Sequence, residues 1–139
     1  MLRVVKPGGV IGTYMWDFEN RGIPLAPLGV AMKSLGIVLP NPPYMDNSRR
    51  DNMQTMWERA GLMAVETDVI PIDVAYESFD DFWQSNTLPV GPAGKIIADL
   101  TTKDREKLKA RVREQLPVAP NGSIAYRSSA NAVKGKVRP

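Results

Sequence analysis

Neither cysteine nor histidine occurs among the 139 residues. The first absence excludes disulfides and thiolate metal sites, and suits a reducing compartment. The second removes the commonest general base and the commonest metal ligand, which argues against a self-contained hydrolase triad or a zinc site. Long hydrophobic runs are missing as well. No stretch could span a bilayer, and Met1-Leu-Arg-Val-Val-Lys6 lacks the layout of a signal peptide. The expectation is therefore no membrane association and a cytoplasmic location. Charge of one sign is scarce, with a net charge of only +3. A basic nucleic-acid-binding domain is disfavoured on that ground, and because the aromatic residues fall at core-like spacings.

What is present reads as globular. Apolar residues make up 43% of the chain and charged residues 24%, proportions that fit one ordinary domain over residues 1–139. Twelve prolines and eleven glycines imply many turns and irregular connections.

The chain is organised around Arg3-Val-Val-Lys-Pro-Gly-Gly-Val-Ile-Gly-Thr-Tyr-Met-Trp-Asp-Phe18. Pro7 cannot continue a helix, and Gly8-Gly9 supply positive φ where the chain reverses. Val10, Ile11, Tyr14, Met15 and Trp16 then form a strand without clean alternation, which suits a strand covered on both faces. Glu19–Gly22 reads as a polar loop. Leu28, Ala31, Met32 and Leu35 share a helical face. Pro40, Pro42 and Pro43 hold the segment up to Tyr44 extended.

Asn47 or Ser48 is expected to cap the next helix, with Asp51 in its first turn. Met53, Met56, Trp57 and Ala60 form its inward face, and Gly61 ends it. Trp57 is expected to be core, with Trp57→Ala costing about 3–5 kcal/mol. Met63–Tyr76 reads as a strand, with Ile70, Ile72, Val74 and Tyr76 on one face. Pro71 cannot donate to a ladder, so the strand belongs at a sheet edge.

Ser78 with Asp81 opens a helix in the manner of a capping box, and Phe79, Phe82 and Trp83 share its buried side. Ala93, Ile96, Ile97 and Leu100 begin another helical face. Thr101 or Thr102 caps a charge-rich helix over Lys103–Leu116, with Leu108, Val112 and Leu116 inward. Its mixed signs suit a solvated face. After a turn at Asn121-Gly122, Ser123–Val133 alternates as a last strand, and Lys134–Pro139 reads as a frayed basic tail.

Two of these stretches carry a family resemblance. Arg3-Val-Val-Lys-Pro-Gly-Gly9 resembles the segment that joins a helix to the fifth strand in class I S-adenosylmethionine-dependent methyltransferases. The subgroup most like it acts on small molecules in ubiquinone and menaquinone biosynthesis. Trp57-Glu-Arg-Ala-Gly-Leu62 resembles the end of the helix before that family's sixth strand. The fold implied is α/β: a partial Rossmann-like methyltransferase sheet of strands five, six and seven with flanking helices. It is incomplete without the N-terminal half, which in the family carries the glycine-rich loop and the acidic residue that hold the cofactor. The seventh strand would run antiparallel between strands five and six.

The resemblance implies methyl transfer from S-adenosylmethionine to a small, fairly apolar acceptor. It also implies that this chain alone is inactive and does not bind the cofactor tightly. Tyr14, Trp16 and Asp17 would lie at the carboxyl end of strand five, which faces the acceptor in the family. The residues alone read Tyr14 and Trp16 as core residues packing on helices before they read them as acceptor contacts. They leave Asp17 in solvent, capping the loop or touching a ligand, since burying it unpaired is costly. Met32 and Tyr44 belong to a segment that would wall the acceptor or simply pack. Phe82 and Trp83 would cover it or form core.

The partner is either a separate N-terminal half or a second copy. Strand Val10 to Trp16 would be left with an open apolar edge, so a homodimer through that edge is expected. The alternative to a methyltransferase part is a non-catalytic small-ligand-binding or self-associating module.

Overall fold

The computed structural model describes residues 2–139. The opening motif behaves as its residues dictate. Leu2–Val4 makes a 3-10 turn, Gly8 takes φ +76°, and the Gly9 N–H donates to the Lys6 carbonyl at 2.9 Å. Strand β1 follows over Val10–Trp16.

Helix α1 spans Ala26–Ser34 with Pro27 in its first turn, where a missing N–H costs nothing. Helix α2 spans Arg50–Arg59, and Gly61 at φ +86° ends it in the left-handed conformation. Strand β2 runs Met63–Tyr76. Helices α3 (Phe79–Asn86), α4 (Gly91–Ala98) and α5 (Thr102–Gln115) come next, and strand β3 closes the chain over Ile124–Lys136.

These elements form an α/β protein with five helices and a three-stranded antiparallel sheet in the order β1-β3-β2. β3 pairs antiparallel with β1 from Val10↔Lys136 to Trp16↔Ala130. The expected placement of the last strand between the other two, with Pro71 on an edge strand, is the one observed.

Packing divides the chain into two compact units. One comprises the described residues up to Ile23 with Pro42–Ile72 and Ser128–Pro139; the other comprises Pro24–Asn41 and Asp73–Arg127.

The second unit holds the main core. Leu28, Ala31 and Met32 of α1 meet Phe79, Phe82 and Trp83 of α3, Ile97 of α4, and Leu108 and Val112 of α5, with Ile124 of β3. Two caps fix where its helices begin. The Ser78 hydroxyl accepts from the Asp81 N–H at 3.1 Å, while the Asp81 carboxylate accepts from the Glu77 N–H at 3.1 Å. Thr101 accepts from the Asp104 N–H at 3.1 Å. Three cations of α5 lie over aromatic faces of α3: Arg113 over Phe79 at 4.6 Å, and Lys109 and Arg105 over Trp83 at 5.9 and 6.0 Å. The positive side of the charge-rich helix is thus partly engaged with the ring faces.

The first unit has a smaller core of Ile11, Met53, Leu62 and Val133, with Ser48 and Asn131 buried beside them. The Asn131 amide donates to the Ser48 carbonyl at 2.9 Å, which satisfies both groups away from water.

Several expectations need correction. β1 is not covered on both faces. Only Ile11 is buried, because β1 is an edge strand and one of its faces has nothing packed on it within this unit. Neither Asn47 nor Ser48 caps α2. Met45–Ser48 forms a 3-10 turn in which the Ser48 hydroxyl donates to the Met45 carbonyl at 2.7 Å, leaving Arg49 as an N-cap without a side-chain bond.

The inward face of α2 is narrower than its spacing suggests. Met53 is buried, Trp57 half-buried, and Met56 and Ala60 exposed. Leu35 and Ile70 are exposed too. Finally, Lys134–Pro139 is not a frayed tail. β3 extends to Lys136, and the Val137 N–H still donates to the Gly9 carbonyl at 2.8 Å. Charged side chains at alternate positions hid the pairing that the backbone makes.

Trp57 now carries a smaller expected effect. Its ring lies beside Gly135 and the apolar concavity around Ile11 and Leu62, with one side open to water. Trp57→Ala is expected to cost about 2–3 kcal/mol by chemical denaturation, below the range for a fully buried tryptophan because part of its surface stays in water.

Candidate functional site

The candidate residues part into two groups, one in each unit. In the second unit, Met32 and Phe82 are fully buried and Trp83 nearly so. All three belong to one hydrophobic cluster. Phe82 stands edge-on to Tyr76 at 5.1 Å and parallel to Phe79 at 6.4 Å. These are packing geometries, and they leave no face of Phe82 or Met32 for a ligand. Beside them the Tyr126 hydroxyl donates to the Pro24 carbonyl at 2.6 Å, and burial together with the neighbouring Tyr76 pushes its pKa well above the usual tyrosine range.

In the first unit, Asp17 is buried at the end of β1 and committed to the loop that follows. Its carboxylate accepts from the Asn20 N–H at 3.2 Å and from the Asn20 amide at 2.8 Å. Its carbonyl accepts from the Gly22 N–H at 2.7 Å. Of the three alternatives for Asp17, loop capping is the one observed. Tyr44 is 81% exposed in the left-handed conformation, φ 57°. Tyr14 is 72% exposed and Trp16 37%, so neither is core.

Tyr14 lines a concavity. A trough of about 520 Å³ runs across the sheet face of this unit. Its floor is Gly12 and Tyr14 of β1 with Ala132 and Lys134 of β3, directly paired as Gly12↔Lys134 and Tyr14↔Ala132. The small residues opposite and beside Tyr14 make the hollow. Glu66 and Asp68 of β2 form its far rim, and Glu66 pairs with Lys134 at 3.0 Å.

The trough offers a flat aromatic face, two carboxylates and an ammonium. It can hold a small molecule by stacking and by polar contacts at one rim. It contains no nucleophile–base pair, and no cluster of metal-ligating side chains occurs among the described residues. A second concavity of about 410 Å³, lined by Ile11, Trp57, Leu62 and their neighbours, is almost wholly apolar.

Sequence reasoning found Tyr14 but missed Gly12, Glu66, Asp68 and Lys134. Their alternation signals an exposed sheet face, yet only the strand register brings them side by side.

No protein-family model and no curated protein matches this chain.

Proposed function

We propose that the chain is the acceptor-side part of an S-adenosylmethionine-dependent methyltransferase domain for a small, fairly apolar acceptor. Strand order supports this reading. The last strand lies between the first two and antiparallel to β1. Consecutive strands are neighbours about two-thirds of the time, so the inserted strand is a specific feature. It agrees with the five-seven-six order of the family that Arg3–Gly9 and Trp57–Leu62 resemble.

The residues of this chain do not fit the cofactor itself. Asp17, the buried carboxylate among the described residues, is occupied by Asn20. Gly8, Gly61 and Gly122 use their positive φ at turns and a helix end. A cofactor-binding half would have to come from elsewhere, and no step of the transfer is assigned to a side chain here. The lack of histidine does not oppose the reading. A sulfonium is already a good leaving group, and methyl transfer chiefly needs donor and acceptor held in line.

A second reading, a non-catalytic ligand-binding or self-associating module, is favoured by the burial of Met32, Phe82 and Trp83 in the core.

Calorimetric titration of the purified chain with S-adenosylmethionine and S-adenosylhomocysteine is expected to show no low-micromolar binding. Addition of a polypeptide carrying a cofactor-binding half of this family is expected to yield transfer of a labelled methyl group to a small aromatic acceptor. Tight cofactor binding by the chain alone would sink this reading. So would a cofactor-loaded mixture that transfers nothing to any acceptor tried.

A further inference from the structure

We propose that β1 is a self-pairing edge, and that two copies of this chain join there by antiparallel β1–β1 pairing with the two-fold axis at Thr13. On the methyltransferase reading the same edge would take the family's fourth strand, so a second copy and a cofactor-binding half would compete for it.

At one end of the β1–β3 pairing the Val137 N–H donates to the Gly9 carbonyl, and at the other the Asp17 N–H donates to the Ser129 carbonyl at 3.0 Å. In an antiparallel ladder the residues that exchange bonds alternate. Ile11, Thr13 and Met15 therefore spend their polar groups on β3. Val10, Gly12, Tyr14 and Trp16 point their N–H groups outward, together with the carbonyls of Val10, Gly12 and Tyr14. No partner for these groups occurs among the described residues.

Such an edge is normally blunted by proline, charge or a bulge. Val10–Trp16 has no proline and no charge, and its register with β3 is unbroken. The opposite edge of the sheet differs. β2 carries Pro71 and, along the same strand, the charges of Glu66, Asp68 and Asp73. One edge is open and the other closed, so pairing stops at two copies instead of continuing into a fibre.

The side chains choose the occupant. A two-fold axis at Thr13 sets Gly12 against the partner's Tyr14, and Val10 against the partner's Trp16. Each large ring lies beside a small or slender residue on the same face. All of these residues belong to the outward-bonding set, so Gly12 and the partner's Tyr14 exchange both backbone hydrogen bonds, and the Trp16 N–H donates to the partner's Val10 carbonyl, the Trp16 carbonyl being held by the Phe18 N–H at 3.0 Å. On the other face Ile11 meets the partner's Met15. No like charges are brought opposite one another. The exposure of Val10 at 61% and Tyr14 at 72% is what such pairing removes. The partner's Tyr14 would also wall the trough beside Gly12, so each copy completes the other's concavity.

The test is sedimentation velocity on the full chain and its variants, with circular dichroism as the check on folding. Two variants leave the separate chain intact. A Cβ on Gly12 meets nothing nearer than the Val133 carbonyl at 3.7 Å, and Tyr14 is exposed. The parent is expected to sediment as a dimer at micromolar concentration. Gly12→Lys and Tyr14→Glu are each expected to lose the dimer while keeping the parent spectrum. The double variant Gly12→Lys/Tyr14→Glu sets opposite charges across each central pair and is expected to regain it.

A monomeric parent overturns the proposal, as does a dimer that both single variants leave intact. If the single variants dissociate and the double variant does not reassociate, the register at Thr13 is overturned. If a single variant fails to fold, the double variant decides: a dimer supports the pairing, and a folded monomer refutes it.

Discussion

Replacing Phe82 by alanine is expected to destabilise the protein by about 3–5 kcal/mol, read from denaturant unfolding. Phe82 has no exposed surface and sits at the meeting of two other rings, Tyr76 at 5.1 Å and Phe79 at 6.4 Å. Helices α1, α3, α4 and α5 all contribute to the cluster around it. Truncation removes apolar area and leaves a void that close-packed neighbours fill only in part. Alanine's better helix propensity returns at most about 0.7 kcal/mol, too little to change the outcome. Phe82→Leu, which keeps most of the volume, is expected to lose less than the alanine variant. Equal stabilities of the alanine variant and the parent would mean that Phe82 is not the centre of this core. They would also restore it as a candidate acceptor contact.

Gly22→Ala is expected to cost about 3 kcal/mol, at the upper end of the range for overpacking. A methyl group there would strike the Ser129 hydroxyl, stand 2.6 Å from the Ser129 carbonyl, and lie 2.9 Å from the Asp17 Cβ. The hydroxyl can rotate away. The carbonyl cannot, because it accepts the Asp17 N–H at 3.0 Å, while the Ser129 N–H is tied to the Gly22 carbonyl at 2.9 Å. Alanine also restricts the unfolded chain, a gain of about 0.4–1 kcal/mol, which is smaller than the clash. The loop after β1 would have to shift and uncover Asp17. Thermal unfolding of the variant checks this directly; a melting temperature unchanged from the parent would show that the loop gives way at no cost.

Both substitutions fall where different kinds of information were needed. Phe82 was legible, since its spacing with Phe79 and Trp83 marks a buried helix face. Gly22 was not. In the sequence it is one small residue in a polar loop, and its role exists only because Ser129, far along the chain, lies against it. The same division runs through the candidate site. Tyr14 could be singled out as an aromatic residue on an apolar strand, but not its exposure, which depends on what covers that face of the sheet. Asp17 was recognised as costly to bury alone, yet its solution, Asn20, became visible only with the loop's conformation.

By itself the sequence determined the elements. Proline and glycine placement, helical periodicity and cap residues fix where β1, β2, α3 and α5 begin or end, because those signals act within a few residues of each other. It also excluded cysteine and histidine chemistry by composition. Only the tertiary structure decided which faces are buried. Trp57 is only partly covered, Trp16 lies open, and the lysines of the supposed tail belong to a central strand. Burial and strand register are set by partners distant in sequence, and a side chain's pattern along its own strand cannot say whether anything lies opposite it.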